Sequence, residues 1–206
     1  NATWDKDIAN GPKGAIAVIR DVVTVPANYL VNYKTIIEPG GELLIGTSFG
    51  HRLGSVEGQG LLQIERGSLP AGVYEDFFGP AGGTLEFAGT DDYDVLSEIS
   101  AVNNLKFTGT GERRLPNLEI ELYGNLEIAG TDANLLVINE HDHTLKLDSN
   151  LVLTAGTFDA GAGTDARVIF NGTKPQEITG DFTGNNALNH FTLNNPAGLT
   201  LNTTLE

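Results

Sequence analysis

The fold of this chain is decided by a stretch that opens Asn104-Leu105-Lys106-Phe107-Thr108-Gly109 and runs to residue 153. It consists of short sequence segments, here called lines, in which polar and apolar residues alternate. Each line begins with Asn or Thr. Alternation with a period of two sends one set of side chains to one face of a β-strand. Turn residues separate the lines at close intervals, so the lines are too short for helices. The further lines begin at Asn117, Asn125, Asn134, Thr144 and Asn150.

The lines also recur at a longer period. Leu85, Leu105, Leu126 and Leu145 open the clearest ones, at steps of 20, 21 and 19 residues. Self-similarity near 20 residues is typical of a solenoid. The sequence therefore predicts an all-β, elongated parallel β-solenoid, of the right-handed β-helix type. Leu105, Leu126, Ile128, Leu145 and Leu147 are expected in its core, and Lys106, Glu127 and Lys146 on its surface.

Composition agrees with this class and limits the partners. The 26 glycines suit a fold with many tight turns. The formal charge of −15 argues against nucleic acid and anionic membranes, because both need a basic protein surface. No apolar run approaches the length of a membrane span. The absence of cysteine excludes disulfides and thiol catalysis. With no initiator Met and no signal peptide, the chain is expected to be an internal or processed piece of a longer protein.

Two regions differ in regularity. Residues 1–82 are expected to form N-terminal coils with an irregular insert near 50–82, and residues 83–206 the regular repeats. The insert is rich in apolar residues, including Leu69-Pro70-Ala71-Gly72-Val73, and is the best place for a function other than scaffold. An alternative for residues 1–82 is a carbohydrate-binding β-sandwich. A break in coil register near residue 82 would support it.

Several segments resemble the repeats of large secreted proteins of Bacteroidetes, typically type IX secretion cargo such as giant gliding adhesins. The resemblance lies in the order Val168-x-Phe170-x-Gly172, Gln176-x-Ile178-x-Gly180, Phe191-x-x-Leu-x-Asn-Asn and Gly198-Leu-Thr-Leu. Gly83-Thr-Leu-Glu-Phe-Ala-Gly-Thr90 and Ile37-Glu-Pro-Gly-Gly-Glu-Leu-Leu-Ile-Gly46 are similar to the same repeats. The resemblance implies a secreted or cell-surface protein that is elongated and structural or adhesive. The family's C-terminal sorting domain is not visible in this sequence.

The candidates for chemistry are few. His141 and His143 would share a face if they lay on a strand and could grip one metal ion, although two ligands are too few for a closed zinc site. The alternative is a solvated turn. Asp91, Asp92 and Asp94 could form an acid–base pair, but polysaccharide-cleaving β-helices place their Gly-His pair after the paired aspartates, and here Gly50-His51 precedes them. We therefore assign no catalytic residue and expect no enzyme.

Other motifs have structural explanations. Glycosylation sequons begin at Asn1, Asn171 and Asn202, but an Asn- and Thr-rich chain produces them by chance. Gly161-Ala162-Gly163-Thr164 is too short for a nucleotide fingerprint and is interpreted as a turn. We expect no bound cofactor, although the acidic surface could attract a divalent cation such as calcium.

The sequence thus predicts a rigid stalk or adhesin segment of a larger secreted or cell-surface protein. Its expected partners are neighbouring coils or domains of the same chain, the secretion machinery, a surface anchor or a polysaccharide. The alternative is a polysaccharide-binding or polysaccharide-degrading β-helix protein, for which clustered carboxylates and basic residues along one groove would be needed.

Overall fold

A computed structural model describes residues 14–25, 30–95 and 99–205. The lead-in, residues 1–13, and the sequon at Asn1 lie outside the described residues. In chain order the strands are β1 (Ile16–Ile19), β2 (Val22–Thr24), β3 (Lys34–Ile37), β4 (Glu42–Leu44), β5 (Arg52–Gly58), β6 (Leu61–Ile64), β7 (Ala71–Val73), β8 (Thr84–Phe87), β9 (Tyr93–Asp94), β10 (Ala101–Val102), β11 (Asn104–Arg114), β12 (Ile120–Leu122), β13 (Leu126–Ile138), β14 (Leu145–Leu147), β15 (Leu151–Ala155), β16 (Thr157–Asp159), β17 (Val168–Phe170), β18 (Gln176–Phe182), β19 (Phe191–Leu193) and β20 (Leu199–Leu205). The described helices are α1 (Glu75–Phe78) and a 3-10 turn, Gly184–Asn186.

The strands form a parallel β-solenoid of about nine coils, as predicted. One 11-stranded sheet runs the length of the stack in the order β2-β4-β6-β8-β11-β13-β15-β18-β20, with β9 and β16 paired to β11 and β13. Two smaller sheets, β1-β3-β5-β7 and β10-β12-β14-β17-β19, supply the strand that precedes it in successive coils. The long sheet crosses residue 82 without a break, since β6 pairs with β8 and β8 with β11. The β-sandwich alternative for residues 1–82 is therefore wrong.

The core is a set of apolar columns, in which each residue pairs in register with its equivalent one coil away. In the longest column every member except the last is buried, and it runs Val23, Leu43, Leu62, Leu85, Leu105, Leu126, Leu151, Ile178 and Leu201. The predicted core residues Leu105, Leu126, Ile128, Leu145 and Leu147 are all buried. Lys106 and Glu127 lie side by side on the outer face and form an ion pair of 3.3 Å.

One prediction about the columns is wrong. Leu145 does not follow Leu126 in the stack, because Leu126 pairs with Leu151, 25 residues later. Leu145 lies in β14 of a smaller sheet, between Ile120 and Val168. The error has a simple cause. Each coil contains more than one line with the same alternation, and the 13-residue strand β13 lengthens its coil beyond the preceding ones.

The recurrent Asn at the line openings forms a ladder along the stack. Asn104 Oδ1 accepts the Asn125 N–H at 2.9 Å, and Asn125 Oδ1 accepts the Asn150 N–H at 3.1 Å. Asn150 Oδ1 then accepts the Glu177 N–H at 2.8 Å. Each amide side chain therefore satisfies a turn N–H of the next coil, which would otherwise lack a partner. Gly124 packs beside this ladder, where a Cβ atom would lie 2.2 Å from Asn104 Oδ1.

The region predicted as an insert, residues 50–82, adds β5, β6 and β7 to the sheets and then forms α1. The helix contacts β5 on one side and β10 on the other, so it sits where the two smaller sheets meet. Phe77 anchors α1 by burying its ring completely. This arrangement interrupts one face of the solenoid and leaves β7 as a sheet edge, while the long sheet continues behind it.

Candidate functional site

His141 and His143 lie in a turn between β13 and β14, and not on a strand. Their ring centroids are 6.4 Å apart. His143 Nε2 is 2.6 Å from Asn117 Oδ1, and Asn139 holds the turn by donating to the His143 carbonyl at 2.7 Å. Across residues 14–25, 30–95 and 99–205, no group of three or more His, Cys, Asp or Glu could hold a metal ion. The geometry is that of the solvated turn.

Asp142 has a structural task in the same turn. Its backbone is left-handed, with φ of 57°. Its Oδ1 accepts the Gly163 N–H at 2.9 Å, which ties the turn at residues 161–164 to the coil below. The Gly161-Ala162-Gly163-Thr164 motif therefore forms a turn that this hydrogen bond joins to the turn at Asp142.

The acidic trio is also engaged in the scaffold. Asp92 Oδ1 accepts the Glu112 N–H at 2.7 Å, and Asp94 forms an ion pair of 2.9 Å with Arg114. Asp91 is exposed and contributes its backbone carbonyl to Arg113. No described contact links these aspartates to His51, whose place before them in the sequence already argued against such a pairing. The arrangement gives no support to an acid–base pair.

Arg113, which the sequence did not single out, is a buried arginine next to Asp91. Its side chain is fully buried, and it donates to the carbonyls of Asp91, Glu112, Ala88, Gly89 and Thr110. The guanidinium also lies over the Tyr93 ring, 4.1 Å from its centroid. The guanidinium charge is compensated by the partial negative charges of the carbonyl oxygens and by the negative face of the ring, as a carboxylate partner would otherwise do. Arg113 points inward as Leu105 and Phe107 do, but the left-handed Gly109 and Gly111 lie between them, so local alternation does not predict its position.

A second arginine cluster lies at the region predicted to carry function. It surrounds a depression of about 320 Å³. We call this depression the basic cleft. It is lined by Phe49, Gly50, His51, Arg52, Arg66, Ser68, Leu69, Pro70 and Ala71.

His51 forms the buried floor of the basic cleft. Its Nδ1 accepts the Leu30 N–H at 3.0 Å, and its Nε2 lies 2.8 Å from Ser48 Oγ, which donates to the Ile45 carbonyl at 2.7 Å. Nδ1 is an acceptor, so the neutral ring carries its proton on Nε2. Burial, reinforced by the charge of Arg66, lowers the pKa of His51. The positive charge of the cleft therefore comes from its arginines.

Arg66 is held in a fixed orientation by backbone carbonyls. Its Nε donates to Ser68 at 2.9 Å and its Nη1 donates to Ser48. The guanidinium lies 4.3 Å from the centroid of the Phe49 ring. Arg66 is only 9% exposed, whereas the Phe49 ring is 69% exposed. Within the described part of the chain neither Arg66 nor the exposed Arg52 has a carboxylate partner.

An apolar groove of about 550 Å³ adjoins the basic cleft and shares Leu69, Pro70 and Ala71 with it. Tyr74 and Phe78 stack at 5.2 Å between ring centroids, and Tyr123 lines the opposite part of the groove. The Tyr74 hydroxyl donates to the Pro70 carbonyl at 2.7 Å, and burial raises the pKa of that phenol. Because the Tyr74 hydroxyl is bonded to a backbone carbonyl, Tyr74 lines the groove with its aromatic ring.

No family model, curated protein or solved structure matches this chain. The basic cleft and the adjoining groove combine unpaired guanidinium groups, exposed aromatic surface and a buried neutral histidine. These groups suit binding of an anionic ligand. The lining of the basic cleft contains no carboxylate, whereas the adjoining groove is lined by one, that of Glu75.

Proposed function

We propose that this chain is a structural segment of a larger secreted or cell-surface protein, where it acts as a rigid β-solenoid stalk or adhesin. The observation that carries the proposal is the long sheet, which links the described coils from β2 to β20 by parallel strand pairing. Nine strands spaced ~4.8 Å apart give a stack about 40 Å long with a continuous apolar core. Each coil is held by backbone hydrogen bonds to its neighbours, which suits a load-bearing or spacing role.

The outer surface supports the same role. Lys34 pairs with Glu57 at 2.7 Å, and Lys146 with Glu119 at 2.5 Å, in both instances between neighbouring coils. Exposed pairs of this kind contribute little individually, because solvent screens them. They are compatible with the register that the buried apolar columns set. Among the described residues no helix is long and apolar enough to cross a membrane.

The coil that contains β19 and β20 supports a role as a segment that stacks against a neighbouring coil or domain. Phe191, Leu193 and Leu201 occupy inward column positions, yet they are 44%, 48% and 48% exposed. Residues 182–205 contain no Asp, Glu, Lys or Arg, although the chain carries a net charge of −15. Exposed sheet edges are usually protected by charge. An uncharged edge with apolar columns fits a neighbouring coil or domain.

Secretion and surface location are proposed from the resemblance to the secreted repeat proteins. Their partners would then include a secretion machinery and a surface anchor. The test is to label intact cells of the source organism with antibodies against this segment and to treat them with an external protease. Surface labelling and loss of the epitope on proteolysis are expected. Labelling only after cell lysis would overturn the proposed location and, with it, the stalk or adhesin role.

Polysaccharide binding is the second candidate, and the basic cleft favours it. An adhesin needs a ligand-binding surface, and this is the described region where unpaired arginines and exposed aromatic surface meet. Polysaccharide degradation has no such support, because Asp92 and Asp94 are engaged by Glu112 and Arg114.

A further inference from the structure

We propose that the basic cleft binds a carboxylate-bearing polysaccharide, with Arg52 and Arg66 pairing with a uronate carboxylate and Phe49 packing against a sugar ring. The inference deepens the adhesive role proposed above, on which it rests. It names the ligand class and assigns the residues.

The first argument is charge. The chain carries 27 acidic and 12 basic residues, so a depression lined by two arginines and no carboxylate stands out on an acidic protein. Other described basic side chains are neutralised by ion pairs, as Lys34 is by Glu57 and Arg114 is by Asp94. The guanidinium groups of the basic cleft remain available to an incoming anion. A planar fork of N–H donors matches a carboxylate in geometry as well as in charge.

The second argument is preorganisation. The carbonyls of Ser48 and Ser68 hold Nη1 and Nε of Arg66, which leaves Nη2 without a hydrogen-bond partner among the described residues. Arg66 is nearly buried, so its charge acts in a medium that screens it less than water does. Arg52 lies on the exposed side of the same depression and keeps the freedom to close over a bound group. Fixing one donor in advance lowers the ordering cost of binding.

The third argument is shape, and it favours a polysaccharide over an acidic peptide. The volume of about 320 Å³ is at the lower end of small-ligand sites. Phe49 offers a largely exposed ring at its rim, and the adjoining groove continues with the Tyr74–Phe78 stack. Flat aromatic surfaces beside polar donors match the apolar faces and hydroxyl edges of sugar rings. A run of two adjoining depressions suits an extended polymer.

The test measures binding of the 206-residue chain to immobilised polygalacturonate and alginate, and to the same polymers after their carboxyl groups are reduced to alcohols. We expect binding to at least one acidic polymer, weaker binding at raised salt, and loss of binding after reduction. Arg52→Glu should weaken the affinity by at least about tenfold, because it replaces attraction with repulsion beside Arg66. Phe49→Ala should also weaken it, through loss of the ring contact.

Matched controls separate this site from general charge effects. Arg167→Glu changes another exposed arginine by the same charge, and Phe191→Ala removes another exposed ring; both should bind as the parent does. Arg52 and Phe49 are exposed, so circular dichroism should show that their variants remain folded. The proposal is overturned if Arg52→Glu and Arg167→Glu bind equally, or if the reduced polymers bind as well as the acidic ones. Tighter binding to poly-glutamate than to any polysaccharide would point to a protein partner and would also overturn it.

The outcome is separable from that of the proposed function. Surface labelling without binding to either acidic polymer overturns the cleft assignment alone. Binding by a protein that is located inside the cell overturns the stalk or adhesin role alone.

Discussion

Phe87 and Phe107 stack one coil apart, with ring centroids 5.7 Å apart and an interplanar angle of 16°. They pair directly in register between β8 and β11, and both rings are fully buried. The stack lies at the centre of the long sheet, where the two predicted regions of the chain meet. It shows that the coils on either side of residue 82 share one core.

The first prediction concerns this stack. Phe107→Ala should lower the free energy of unfolding by about 3–5 kcal/mol, because it opens a cavity in a core that cannot collapse around it. Urea denaturation followed by circular dichroism measures the change. Lys106→Ala, on the outer face of the same strand, removes only a surface ion pair and should cost at most about 1 kcal/mol. Equal losses would mean that β11 faces the other way.

The second prediction concerns Arg113. Arg113→Met should destabilise the fold by roughly 3–5 kcal/mol, since it removes a buried donor shared by five backbone carbonyls and the contact of its guanidinium with the Tyr93 ring. Arg114→Met is a matched control, because its guanidinium lies on the surface in ion pairs with Asp94 and Glu112. That variant should lose much less stability than Arg113→Met, because solvent screens exposed ion pairs. Equal losses of stability in the two variants, measured by thermal and urea unfolding, would show that the hydrogen bonds from Arg113 to the carbonyls do not stabilise this turn.

The third prediction concerns pH. The pKa of His51 is lowered in the folded protein, whereas in the unfolded chain it is near 6.5. Unfolding therefore takes up a proton between the two values. The contribution of His51 to stability is fully present above about pH 6.5 and is lost as the pH falls through the lowered folded-state value.

His51→Asn tests this contribution, because its Oδ1 can accept the Leu30 N–H as Nδ1 does, and an amide does not titrate. Urea midpoints measured from pH 7.5 to 5 should fall less steeply for this variant than for the parent. His190→Asn, at an exposed ring, should retain the slope of the parent. An unchanged slope in His51→Asn would show that the buried imidazole does not govern stability in this range.

The fourth prediction concerns the last coil. β20 is bonded to β18 on one side, and the inward side chains of its coil are half exposed. Amides of Leu199 to Leu201 should therefore exchange with deuterium faster than those of Leu126 to Ile128, which lie between two strands. The measurement is hydrogen exchange on a monomeric sample. Equal protection at both sites would show that the end is already capped.

The same coil should promote self-association of the 206-residue chain, because its edge lacks charged side chains. Sedimentation velocity should show a concentration-dependent species, and Leu201→Lys should suppress it. Thr154→Lys, at an exposed position on an inner strand, should have no effect. Association that persists in Leu201→Lys would place the contact elsewhere on the molecule.

The sequence by itself determined the fold class and the facing of the strands. Strand alternation is local, since every second residue points to the same side whatever the rest of the chain does. Leu105, Leu126 and Leu147 were therefore identified as core residues, whereas the inward position of Arg113 was not, because the left-handed Gly109 and Gly111 interrupt the alternation after Phe107. The recurrent Asn at the line openings was visible in the sequence, but its hydrogen bonds to N–H groups of the next coil were found only in the structure.

Only the tertiary structure decided which lines stack on each other. The length of a coil is the sum of its strands and turns, and column steps range from 19 residues, between Leu43 and Leu62, to 27, between Leu151 and Ile178. No local pattern encodes that sum, so Leu151 could not be distinguished from Leu145 as the partner of Leu126. The basic cleft also depends on the coil length. Phe49, Arg52 and Arg66 come together because consecutive coils lie side by side, and a contact between residues a coil apart exists only once the coil length is set.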